Sequence, residues 1–163
     1  EAIAKADLIC LGPGSLFTSV IPNLLVDGVP DAIRRSPAIK AYFCNLMWQP
    51  GETMHFRASD HVKAIHEHAR CELVDCVIVN TAAVGSDLRT RYAQQKARPV
   101  EVDADCLIDM GLRLVEGELL AETDKVRHHP ERAAALAVRM ALMARKQRQR
   151  AEVLRPATAK AGS

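Results

Sequence analysis

Short apolar runs alternate with mixed segments along this chain, and the alternation sets the predicted elements. Asp7–Leu11 reads as a buried strand, followed by the loop Gly12-Pro13-Gly14-Ser15 and a helical segment through Leu25. Gly28-Val29-Pro30 interrupts, and a short helix runs to about Arg35. Lys40–Leu46 is the second strand. A long loop, Met47–Arg57, leads to a helix that starts near Ser59, a residue suited to an N-cap. Val74–Asn80 is the third strand, Ser86–Lys96 a polar helix, Pro99–Val102 a short strand and Asp103–Met110 a short helix. From Pro130, well placed at a first helical position, one long helix runs to about residue 155, with Leu136, Met140 and Met143 as its packing stripe. Residues 156–163 read as a disordered tail.

Apolar strands separated by helices predict βαβ units, hence an α/β protein whose parallel sheet carries helices on both faces. Residues 1–129 belong to that domain and residues 130–155 to the final helix. Ligands of such sheets gather at the carboxyl ends of the strands, so the loops after Leu11, Leu46 and Asn80 matter most. The chain opens on Glu1 rather than Met, mid-helix, and enters a strand at once. This predicts that the N-terminal half of the domain is missing.

Composition narrows the function classes. Aromatic residues make up 4% of the chain, too few for a stacking platform on single-stranded nucleic acid, and the net charge of +2 implies no nucleic-acid partner. No apolar run approaches the length of a membrane span, and residues 1–7 lack the pattern of a signal peptide. The five cysteines show neither Cys-x-x-Cys nor zinc spacing and read as small core residues of a reducing cytosol, which places the chain in the cytoplasm. The basic end of the last helix, Arg145, Lys146, Arg148 and Arg150, reads as a solvated terminus that suits the helix dipole.

Candidate chemistry concentrates in two loops. Gly12 and Gly14 let backbone approach a ligand closely, and the helix start behind them offers free N–H groups to a phosphate. Ser15, Thr18 and Ser19 add hydroxyl donors; the alternative is a tight turn with capping hydroxyls. In the loop after the second strand, Asn45 and Gln49 suit a base or a sugar hydroxyl, and Glu52 suits a metal or a cap. His55, His61, His66 and His68 cluster without metal-ligand spacing, so no metal site is expected. Tyr92 and Arg127, from separate late segments, can converge on a base and a phosphate, since Arg pairs bidentately with phosphate. No catalytic residue stands out.

The run Ala6–Val26, Ala-Asp-Leu-Ile-Cys-Leu-Gly-Pro-Gly-Ser-Leu-Phe-Thr-Ser-Val-Ile-Pro-Asn-Leu-Leu-Val, closely resembles the YvcK branch of the YvcK/CofD family. Two further matches follow in order: Cys44-Asn45-Leu46-Met47 with Gln49-Pro50-Gly51-Glu52-Thr53, and Ala58-Ser59-Asp60-His61. Arg91-Tyr92-Ala93, Pro99-Val100 with Val102-Asp103, and Val126-Arg127-His128 match more weakly, so the resemblance covers roughly residues 1–130. Met54-His55-Phe56 departs from the acidic residue, Gly and Tyr usual there.

The resemblance implies a Rossmann-like domain about twice this length, with an N-terminal Gly-Gly-Gly-Thr-Gly loop absent from this chain. It implies a regulatory protein that binds a UDP-sugar such as UDP-N-acetylglucosamine, linked to gluconeogenic growth and to cell shape and wall synthesis, with no established reaction and no required cofactor. Tyr92 and Arg127 fall where that branch holds the nucleotide sugar. The other branch, CofD, transfers a phospholactyl group to a deazaflavin precursor with magnesium, and its loop usually carries Ser-Asn-Pro, which Gly14-Ser15-Leu16-Phe17 does not match. A second copy of the chain is a further candidate partner. Without the half facing Gly12–Ser15, these residues alone are expected to bind weakly.

Overall fold

The computed structural model describes residues 1–154. The elements follow in the order α1 (Ala2–Lys5), β1 (Leu8–Leu11), a wide π turn (Leu16–Val20) running into α2 (Ile21–Leu24), α3 (Val29–Arg35), β2 (Ile39–Phe43), α4 (Ala58–Ala69), β3 (Cys76–Asn80), α5 (Ser86–Gln94), α6 (Ala104–Asp109), β4 (Arg113–Gly117), β5 (Leu120–Glu122), β6 (Val126–His128) and α7 (Pro130–Leu154). The tail expected from residue 156 lies outside the described residues.

Four strands form one parallel sheet in the order β1-β2-β3-β4, while β5 and β6 pair antiparallel as a separate hairpin. The register places Leu11 beside Tyr42, Phe43 beside Ile78 and Val79 beside Glu116. Alternation along each strand sends side chains to two cores. Leu11, Tyr42, Val77 and Val79 pack with Leu24, Val62, Ile65 and Leu107 from α2, α4 and α6. Ala41, Phe43, Cys76 and Ile78 face the other way, onto Ala133 and Leu136 of α7. The parallel sheet with helices on both faces is therefore as the alternation predicts.

Five details differ from the sequence expectation. Pro99–Val102 is not a strand: it makes one isolated bridge, Met47 to Pro99, and the Val100 N–H goes to the Leu46 carbonyl. The fourth strand is Arg113–Gly117, whose exposed Arg113 and Glu116 hide it among polar segments. Helix α4 begins one residue before Ser59, because the Asp60 carboxylate accepts the Arg57 N–H at 3.0 Å and Ser59 instead serves Asp103. On α7, Met143 is 58% exposed, and the packed stripe is Ala133, Leu136, Met140 and Ala144. Arg148 is half-buried: its guanidinium donates to the Ala6 carbonyl at 3.1 Å and pairs with the Asp7 carboxylate, tying the end of α7 to the residues just before β1. Among the described residues no single helix is long and apolar enough to cross a membrane.

Candidate functional site

The backbone of the first loop is shaped by what stands next to it. Gly12 has φ +82°, a region that suits glycine, and a Cβ there would lie 3.3 Å from the Gly14 nitrogen. A Cβ on Gly14 would come 3.0 Å from the Ser19 Cβ. The turn that follows is wide because both the Ser19 and the Val20 N–H donate to the Ser15 carbonyl, at 2.9 and 3.0 Å. Its first N–H groups are left without intrahelical acceptors, as at any helix start.

The loop after β2 is held from below. Thr53 is fully buried, and its hydroxyl accepts the Gln49 N–H at 3.0 Å. The Asn45 amide donates to Gln49 Oε1 at 3.1 Å. The loop then folds against the first: the Ser15 hydroxyl donates to Glu52 Oε2 at 2.8 Å.

Between these loops, α5 and β6 lies a cavity of about 400 Å³. Gly14, Ser15, Asn45, Gln49, Tyr92 and Arg127 all line it, although they come from four separate stretches of chain. Two predicted residues do not. Thr18 is exposed on the outer side of the turn, and Gly12 packs against the Phe43 backbone. Glu52, Trp48, Gln95 and His128 complete the walls. Gln95 gave no sequence signal beyond lying one turn from Tyr92, and Glu52 was left between a metal and a cap.

The charges are sparse. Among the described lining residues Arg127 is the guanidinium and Glu52 the carboxylate. Among the described residues no group of three or more His, Cys, Asp or Glu side chains could hold a metal ion. The four histidines have separate places. His61 Nδ1 lies 2.9 Å from the Tyr42 hydroxyl, His66 Nε2 accepts the Val74 N–H, His68 Nδ1 lies 2.7 Å from the Ala64 carbonyl, and the His55 ring is tilted at 59° against Trp48. Burial, helped by the charge of Asp103, pushes the Cys44 thiol up to about 12, so it stays protonated and is no nucleophile. Burial also lowers His128, which is neutral at pH 7. The arrangement suits binding: hydroxyl and amide groups for a polyhydroxylated ligand, one guanidinium for an anionic group.

The family model described as 2-phospho-L-lactate transferase CofD matches residues 1–120. The chain is 41% identical over 139 residues to a gluconeogenesis factor of Bacillus subtilis, covering 85% of this chain and 44% of the relative. It is 45% identical over 129 residues to a gluconeogenesis factor of Halalkalibacterium halodurans, covering 79% of this chain and 40% of the relative. A crystal structure of a UPF0052 family member from Bacillus halodurans superposes with a TM-score of 0.80 at 41% identity, covering 83% of this chain and 44% of that one. The chain thus spans less than half the length of these relatives. By its fold, its loops and the extent of these matches, this chain belongs to the CofD family and is a homologue of the bacterial gluconeogenesis factors.

Proposed function

We propose that this chain contributes the binding site of a cytoplasmic regulatory protein that takes a nucleotide sugar, with UDP-N-acetylglucosamine as the leading ligand. The observation that carries the reading is the convergence of Ser15, Asn45, Gln49, Tyr92 and Arg127 on one cavity. In this reading Arg127 meets the diphosphate, the ring of Tyr92 lies against the base, and Asn45, Gln49 and Glu52 take hydroxyls of ribose or sugar. A carboxylate beside the phosphate loop suits hydroxyl donors better than an anion, which puts the sugar end near Glu52. A regulatory role in gluconeogenic growth is supported by the likeness to the gluconeogenesis factors; a role in cell shape and wall synthesis is what the family resemblance of the loops implies, and it belongs to the same proposal.

Phospholactyl transfer is the second reading, favoured by the description of the matching family model. The relatives named above are gluconeogenesis factors, which favours the first reading. Titration calorimetry of the complete gene product with UDP-N-acetylglucosamine and UDP, each with and without magnesium, tests the first reading. Saturable binding of the UDP-sugar without magnesium supports it. No heat with the UDP-sugar under either condition overturns it.

A further inference from the structure

Tyr92 and Arg127 lie on different elements, and those elements are joined by two hydrogen bonds. The Val126 N–H donates to the Tyr92 hydroxyl at 3.0 Å. One turn-edge away, the Arg91 guanidinium donates to the Asp124 carbonyl at 2.9 Å. Arg91 is exposed and takes no part in the cavity wall. The hairpin these bonds hold, β5–β6, shares no ladder with the main sheet. A two-stranded hairpin is marginal in water by itself, so its position depends on what it leans on. Its base is fixed by Asn80, whose Oδ1 accepts the Leu119 N–H at 2.9 Å. Its flank leans on α5: Leu120 and Val126 pack with Tyr92 around Val84 and Leu88.

We infer that Arg91 and the Tyr92 hydroxyl are positioning groups, a clamp from α5 that holds β6 so that Arg127 stays in the cavity. The Tyr92 ring remains a wall of the site, but its hydroxyl already accepts a backbone N–H. Loss of either bond frees the hairpin to move about its base at Leu119, and the guanidinium two residues past Lys125 moves with it. Arg91 touches no ligand in this arrangement and acts only through Arg127. The link to affinity rests on the nucleotide-sugar reading; the clamp itself does not.

The test uses the complete gene product with R91A, R91K, Y92F, R127A and R91A/R127A. Without ligand, hydrogen exchange reads the clamp: amides of residues 120–128 exchange faster in R91A and Y92F, and R91K restores protection. Wild-type protection in both R91A and Y92F overturns the clamp. Titration with UDP-N-acetylglucosamine reads the coupling. R91A weakens binding by about 2- to 12-fold, the range of one hydrogen bond, and has no further effect once Arg127 is Ala. Additive losses overturn the inference, since Arg91 then acts independently of Arg127. A wild-type protein that binds no nucleotide sugar removes the ligand reading, and the exchange result still decides the clamp.

Discussion

The Tyr42 hydroxyl meets Nδ1 of His61 at 2.9 Å between two fully buried rings, with the Asn45 side-chain oxygen 3.5 Å away on its cavity side. The cavity floor is thereby connected to the core that packs α4 on the sheet. Nε2 of His61 is buried and has no hydrogen-bond partner among the described residues, so burial works against adding a proton to this ring.

Burial accordingly lowers the His61 pKa from 6.5 to about 4, with the Asp60 charge opposing. Between those values the unfolded chain binds a proton that the folded chain refuses. Stability is full above about pH 6.5 and falls as the pH drops toward 4, by about 3 kcal/mol from this group. His66 and His128, also lowered by burial, act in the same direction. Urea midpoints measured across this range should decline with acid in the wild type and decline less in His61→Gln. An unchanged slope removes His61 as the acid-sensitive element.

The Ser59 hydroxyl donates to Asp103 Oδ2 at 2.6 Å and its N–H to Oδ1 at 3.0 Å, joining the start of α4 to the start of α6. Ser59→Ala keeps the backbone bond and loses the hydroxyl bond to a carboxylate, at a cost of about 1.5–3 kcal/mol. Thermal and urea unfolding check this; a variant as stable as wild type would show that the hydroxyl bond adds nothing net.

Gly14→Asp sets a side chain against Ser19 and a second carboxylate beside Glu52. Nucleotide-sugar binding should be lost while the far-ultraviolet circular dichroism stays that of the wild type. Unchanged affinity in calorimetry takes this loop out of the site.

Arg127 is exposed and contributes little to the fold, so Arg127→Ala should leave the unfolding midpoint within about 0.5 kcal/mol of wild type. Affinity for UDP-N-acetylglucosamine should fall by about 1.5–3 kcal/mol, the value of a hydrogen bond to a charged group. Full binding by both Arg127→Ala and Tyr92→Ala refutes their place in the site.

Strand β1 is paired on one side only, by β2, and Cys10 within it is exposed. Leu142 and Met143 of α7 are 62% and 58% exposed. An open apolar edge templates pairing, so the 163-residue chain should form dimers or larger species as its concentration rises. Light scattering after size exclusion reads this, and Cys10→Lys should oppose it. A monomer across the full concentration range sinks the expectation.

What the sequence by itself determined is the part of this protein governed by local pattern. β2 and β3 are continuous apolar runs because they lie inside the sheet with both faces covered, and that requirement is written residue by residue; β1 is apolar as well, although Cys10 is exposed. β4 escaped notice because it lies at the sheet's edge, where one flank tolerates Arg113 and Glu116. Pro99–Val102 stops at a single bridge opposite Met47, because proline has no N–H to extend the pairing and the Glu101 carbonyl accepts the Ala58 N–H instead. The loops that hold Ser15, Asn45 and Gln49 were legible from their position after strands. The resemblance assigns Tyr92 and Arg127 to one ligand, but only the tertiary structure sets both on the wall of one cavity, closes Glu52 on Ser15 and leaves Gly12 and Thr18 off that wall. Those outcomes depend on where α5 and the β5–β6 hairpin come to rest on the sheet. That position is fixed by contacts between residues more than thirty apart, such as Arg91 with Asp124 and Tyr92 with Val126, which leave no periodic trace in the chain.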